Sequence, residues 1–524
     1  MYNLGMKEVL KERVEKHIGK YKYNTILTVI IFILFLICGY SNRNVKYELY
    51  LDDVQLNINR ELIAKENKIY IHTEDVTNNF KDNITYDKLS GNYIITTYDS
   101  LKKIKKDNEE YVVKCEQEIY LNLIKIMEEI DKTVVISKDK IYITDSEYIA
   151  GTIVKNRTEL YDKLNNKVIG ILDDKSQVKI QIDEKLKNKY EKFISVLVNS
   201  DNYGYILKEN VEYKYEDIQS EEQYNKSVIV KVEHKLSQNT NVQKVDSICF
   251  NMYRLSAVND LAKLDYNISN VTKSKIYVTI NNGQRSSNFD PDITSSMLNS
   301  HTNRYEIIKK ITKIAQEYAG VNIDFGNLKL TDKENYTQFI KELAALLHAE
   351  NKKIMVNIPS TNYIDVKGVS KVVDYIIIQP YMQRSLASKT SGPISSISYV
   401  KNTIETIVGN CVEANKIILE IPTYSILWTE RRSTVINAEY YSMNSAKLYL
   451  KANNLKTTLD NVSGQNYINY TKGITTYKMW LEDESSMIKK VQLVNEYGLG
   501  GVSVYKSGME TKNVYDIIQK NIEK

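Results

Sequence analysis

Residues 318–328 read YAGVNIDFGNL, and the folding of this stretch decides the fold of everything around it. Val321, Ile323 and Phe325 alternate with Asn322 and Asp324. A period of two predicts a strand, with Gly320 before it and Gly326 after it. Upstream, Ile307, Ile308, Ile311, Ile314 and Ala315 recur at three- and four-residue steps, which predicts an amphipathic helix. Downstream, Phe339, Leu343, Leu346 and Leu347 share one helical face. A strand between two such helices is a parallel α/β unit. In that architecture the chemistry stands at the C-terminal ends of the strands. Here that end offers Asp324 and then Gly326.

The same alternation of strand and helix runs from Asn225 to the last residue, Lys524. Apolar runs fall at Ser227–Val232, Val245–Phe250, Lys275–Ile280, Gly320–Phe325, Lys353–Ile358, Asp374–Gln379, Lys416–Ile421 and Gly500–Val504. β-Branched residues dominate them, as strands covered on both faces require. Eight such runs in about 300 residues predict a (β/α)8 TIM barrel over residues 225–524.

The central strand resembles the catalytic strand of glycoside hydrolase family 18, whose motif is DGxxxDxE. It is most similar to the branch containing spore cortex-fragment lytic enzymes, where the strand reads DGVNIDFEN. This chain has AGVNIDFGN. Ala319 stands at the first Asp, Asn322 is a common variant, Asp324 is retained, and Gly326 replaces the glutamate. The likeness extends along the chain. Asp374–Tyr381 (DYIIIQPY) resembles the sixth strand, with Tyr381 at the motif tyrosine. Gly392-Pro393-Ile394 and Lys416–Tyr424 (KIILEIPTY) resemble the next segments. Tyr497–Tyr505 (YGLGGVSVY) resembles the closing strand, with Tyr505 where a tryptophan normally floors the sugar site.

The resemblance implies substrate-assisted glycoside hydrolysis, one of the exceptions to the two-carboxylate scheme. The glutamic acid protonates the glycosidic oxygen, while the substrate's own acetamido oxygen attacks the anomeric carbon. Asp324 would orient that acetamido group and Tyr381 would bond its carbonyl. Gly326 has no proton to give, and a general acid is worth about 10²–10⁴ in rate. The resemblance therefore implies no intact catalytic set across Ala319, Asn322, Asp324 and Gly326. It implies glycan contacts at Asp324, Tyr381, Tyr505 and Trp428. Asp332 and Glu334, in the loop after the strand, read as the start of the next helix, where acids complement its dipole.

Before Asn225 the texture differs. Residues 1–24 are a basic tail, followed by Thr25–Tyr40 (TILTVIIFILFLICGY) without a charge. This predicts a single-pass signal anchor with the N-terminus cytoplasmic and the rest extracytoplasmic. Residues 46–150 carry strand patterns at Lys46–Leu51, Lys68–Ile71, Tyr93–Thr97, Thr133–Ile136 and Lys140–Ile143, and a helical run at Tyr120–Ile130. They resemble, in rhythm, the α+β module at the front of copper amine oxidases. Residues 155–212 form a string of short strands that resembles a bacterial Src-homology-3-like (SH3-like) β-barrel. The fold class is thus α/β: a C-terminal TIM barrel preceded by an SH3-like module and an α+β module, with a transmembrane helix in front.

The net charge of +5 over 524 residues, without a basic patch interleaved with aromatics, gives no reason to expect nucleic acid. Four cysteines and five histidines show neither CxxC pairs nor ligand spacing, so no metal, cofactor or disulfide framework is expected. Three functional classes follow. One is a membrane-anchored, non-hydrolysing protein that binds peptidoglycan or another N-acetylglucosamine-containing glycan. The second is an active glycosidase on cell-wall or spore-cortex polymer. The third is a protein-interaction scaffold in spore formation.

Overall fold

The computed structural model describes residues 46–523 apart from 52–53, 67, 138, 146–147, 163–166, 182–191, 200–201, 215–224, 270, 284–290, 360–362 and 411. The described chain forms two units, one made chiefly of residues up to Ile218 and one made chiefly of residues from Gln219 onward.

The second unit is built on eight parallel strands: β1 (Ser227–Val232), β2 (Ser247–Ala257), β3 (Ile276–Asn281), β4 (Gly320–Asp324), β5 (Lys353–Ile358), β6 (Tyr375–Ile378), β7 (Ile417–Pro422) and β8 (Gly501–Tyr505). Each pairs with its neighbour, and β8 pairs with both β7 and β1, so the sheet closes on itself. Closure leaves none of the eight as a free edge, and a short ninth strand, Asp260–Lys263, pairs antiparallel with the end of β2. All eight strands fall on the runs that the sequence marks. Helix α1 (His301–Ala315) precedes β4 and α2 (Lys333–Ala349) follows it. Val321, Ile323 and Phe325 point outward and are fully buried against Ile307, Ile308, Ile311, Phe339 and Leu343. The alternation therefore leaves Asn322 and Asp324 facing the lumen.

Between β7 and β8 the chain inserts a five-stranded antiparallel sheet, which no pattern in the sequence announces. Its strands run in the order Thr434–Ser442, Tyr424–Arg431, Thr475–Trp480, Gln465–Lys472, Thr458–Asp460. One face packs Leu427, Ile468 and Met479 against the helix Met443–Ala452; the other packs Ile426 and Trp428 against Ile394.

In the first unit the expected strands of residues 46–150 are present, with one correction. Tyr120 and Leu121 lie in the strand Glu118–Asn122, and the helix is only Leu123–Glu128. The Asn122 side chain caps that helix at the amide of Lys125, which fixes where strand gives way to helix. The described residues between 148 and 213 form one seven-stranded antiparallel sheet over a separate core of Ile153, Leu160, Ile180, Ile194, Val196 and Ile206.

The expected membrane placement is corrected. Among the described residues no helix is long and apolar enough to cross a membrane. The longest of them, α2, has 17 residues and carries charge along one side, whereas a span needs about 20 mostly apolar residues. The basic tail and the run Thr25–Tyr40, on which that expectation rested, lie outside the described residues.

Candidate functional site

Alternate residues of the barrel strands face the lumen. Its floor is apolar: Ile229, Cys249, Tyr277, Met355, Ile377 and Ile418 pack together. Two residues further along the same strands the lining turns polar, at Lys231, Asn251, Thr279, Asn357, Gln379 and Glu420. Asn322 Nδ2 donates to Thr279 Oγ1 at 3.0 Å. Its Oδ1 and both amide atoms of Asn357 are buried without a partner among the described residues, which leaves two acceptors and a donor in the lumen.

Lys231 dominates the site. Its ammonium lies 3.4 Å from Asp324 Oδ2 and 3.2 Å from Glu420 Oε2, bridging β4 and β7 from β1. The Lys231 and Glu420 side chains are 7% and 0% exposed, whereas Asp324 is 30% exposed and faces the mouth. Burial pushes the Lys231 ammonium toward neutrality, but Asp324 and then Glu420 outweigh it and hold its pKa above the usual lysine value. Glu420 also accepts hydrogen bonds from Tyr381 Oη (2.5 Å), Gln379 Nε2 (2.9 Å) and Ser503 Oγ (3.2 Å). A buried charge held this fully is costly to strip of a partner, by about 3–5 kcal/mol.

Aromatic rings lead outward from this cluster. Tyr381 stacks on Tyr505 with centroids 5.1 Å apart and planes 11° apart. Tyr424 meets Tyr505 edge-on at 6.2 Å, and Tyr440, 52% exposed, meets Tyr424 edge-on at 5.1 Å. Burial first, then the field of Glu233, Glu420 and Asp324, pushes the Tyr505 hydroxyl well up, so it stays protonated. Glu233, just past β1, accepts from Asn251 Nδ2 at 3.0 Å, and Asn251 accepts in turn from Asn281 at 2.8 Å.

Gly326 is held by its backbone. The amide of Gly326 donates to Asn282 Oδ1, and its carbonyl accepts from Asn282 Nδ2, both at 2.9 Å. Asp324, Tyr381 and Tyr505 come together as expected. Trp428 does not join them. It is fully buried, and its indole N–H donates to the Gly392 carbonyl at 2.9 Å, so it packs in the core of the inserted sheet and turns no open ring face outward. Of the other acids, Asp332, Glu430 and Glu482 are engaged in the structure itself. Asp332 is buried and accepts from Ser295 Oγ and the Lys329 amide. Glu334 is exposed in the first turn of α2. Glu430 pairs with Lys478, and Glu482 pairs with the equally buried Lys490. Among the described residues no group of three His, Cys, Asp or Glu side chains is arranged to hold a metal ion.

The sequence profile of glycosyl hydrolases family 18 matches residues 235–510, more than half of the chain. The chain belongs to this family. Among its relatives, the uncharacterized glycosylase YvbX of Bacillus subtilis is 24% identical over 245 residues, 44% of this chain and 70% of YvbX. The cortical fragment-lytic enzyme of Bacillus subtilis is 25% identical over 235 residues, 42% of this chain and 54% of that enzyme. The chain thus spans little more than half the length of the second. The crystal structure of the spore cortex-lytic enzyme SleL of Bacillus megaterium matches with a TM-score of 0.52 at 19% identity, covering 62% of this chain and 78% of that one. This likeness bears on the family 18 fold alone.

Proposed function

We propose that this family 18 protein binds N-acetylglucosamine-containing glycan, of the chitin or peptidoglycan type, without hydrolysing it. The observation that carries the reading is Gly326, which occupies the position where the motif needs a proton donor. Substrate-assisted cleavage of a poor sugar leaving group loses about 10²–10⁴ in rate without that acid. The mouth retains what recognition needs: the half-open carboxylate of Asp324, the stacked rings of Tyr505 and Tyr381, and Tyr440 exposed beyond them. The names of the cortical fragment-lytic relatives support wall or cortex polymer as the ligand class. The seven-stranded sheet of residues 148–213 is proposed, as an SH3-like module, to add a second contact to the same polymer.

The test is to titrate the purified protein with N-acetylglucosamine oligomers and muropeptides in a calorimeter, then separate the mixture by chromatography. Heat of binding without new products supports the reading, and absence of heat with either ligand class sinks it.

A second reading, active hydrolysis, is favoured by Glu233, a partly exposed carboxylate at the mouth that acts on Tyr505 through space. Under that reading the protein releases product and Glu233→Gln abolishes the release.

A further inference from the structure

Family 18 chemistry places specific demands on Asp324. The substrate's acetamido oxygen bonds to the anomeric carbon as the glycosidic C–O bond breaks. The departing oxygen takes the acid's proton, and the sugar left behind is a cationic oxazolinium. A carboxylate must face that cation to stabilise it.

In this chain the carboxylate already faces one. Lys231 Nζ is 3.4 Å from Asp324 and 3.2 Å from Glu420, and it is fixed rather than solvated, because only 7% of its side chain is exposed. Its ammonium also lies 5.8 Å from the centre of the Tyr505 ring, on which a bound sugar would rest. A second positive charge arriving between Asp324 and Tyr505 meets this ammonium across a few ångströms of low dielectric.

We propose that Lys231 is a second block to hydrolysis, independent of Gly326: held between Asp324 and Glu420, it occupies the carboxylate that a cationic intermediate would need. The inference rests on the reading of a silent, glycan-binding barrel and deepens it. It means that a glutamate restored at position 326 does not by itself restore an enzyme.

The experiment compares wild type, Gly326→Glu, Lys231→Asn and the Gly326→Glu/Lys231→Asn double variant, all in the full chain. Removing Lys231 leaves Glu420 buried without its counter-charge. A triple variant adding Glu420→Gln therefore guards against misfolding, and a thermal melt checks every protein. The probe is a chromogenic aryl glycoside of N,N′-diacetylchitobiose. Gly326→Glu alone is expected to match wild type, and the double or triple variant to exceed it by at least about tenfold, a modest part of the roughly 10²–10⁴ that a general acid is worth. Equal rates for the single, double and triple variants, whether all silent or all active, overturn the proposal. Cleavage by wild type defeats the reading of silence instead. Lys231 is then judged by Lys231→Asn, which must raise the wild-type rate about tenfold and overturns the proposal if it does not.

Discussion

Asn282 grips Gly326 from both sides, its amide oxygen accepting from the Gly326 N–H and its amide nitrogen donating to the Gly326 carbonyl. The backbone at the end of β4 is thus fixed by a side chain from the end of β3, while the position itself carries no functional group. Asn282 also donates to Thr294 Oγ1 at 3.0 Å and is 2% exposed. Asn282→Ala removes all three bonds and leaves a buried amide and carbonyl unpaired. The expected loss is about 2–4 kcal/mol of stability, read from the denaturant midpoint. A loss below about 0.5 kcal/mol would mean that the grip is incidental.

Tyr440 is the outermost ring of the series that begins at Tyr381, and little of the fold rests on it. Tyr440→Ala is expected to weaken binding of N-acetylglucosamine oligomers by about 2- to 10-fold, the value of one aromatic contact. The melting temperature should hardly move. Calorimetric titration of the variant decides it, and unchanged affinity removes Tyr440 from the ligand path.

Trp428 gives the opposite pattern. Trp428→Phe keeps a ring but leaves the Gly392 carbonyl without its donor. A loss of about 1–3 kcal/mol in stability is expected, with affinity for the glycan unchanged. An affinity loss in a fully folded variant would show that the ring touches ligand after all.

Helices α1 and α2 flank β4 and are tied together by Arg304, whose Nε and Nη2 bond the two oxygens of Glu342 at 3.1 and 2.9 Å, with His301 3.4 Å away. Burial favours the protonated acid, but His301 and Arg304 outweigh it and hold the Glu342 pKa below its usual value. The folded state therefore prefers the ionised form. The stabilisation is present above the unfolded pKa of about 4.3 and is lost as pH falls through the lower native value. Wild type should lose stability as pH falls through that window, and Glu342→Gln should flatten the part due to this group. Arg304→Ala leaves the buried carboxylate only His301 and Gln338 and should cost about 3–5 kcal/mol at neutral pH. Denaturation midpoints measured across pH check both.

The barrel was legible because each of its strands is an apolar, β-branched run wrapped on both faces, and YAGVNIDFGNL carries its two helices beside it. The inserted sheet was not. Its strands mix Tyr and Thr with scattered charged and amide residues, and Trp428 pairs with Lys478 across an intervening helix and hairpin, so no local pattern announces the partner. For the same reason Trp428 could be recognised as aromatic but not assigned a face. Lys231 and Glu420 were missed although each left a signal, a lone charge inside the runs VIVKV and IILEIP. Charged residues are almost never fully buried unless paired. The two runs could have been matched to each other as opposite charges on lumen-facing positions of one barrel.

The most direct measurement incubates the full-length protein with N-acetylglucosamine oligomers and cortex fragments for many hours and counts reducing ends against a buffer control. No release above the control is expected from a protein that binds the same oligomers. Release by wild type that disappears on Asp324→Ala would contradict it.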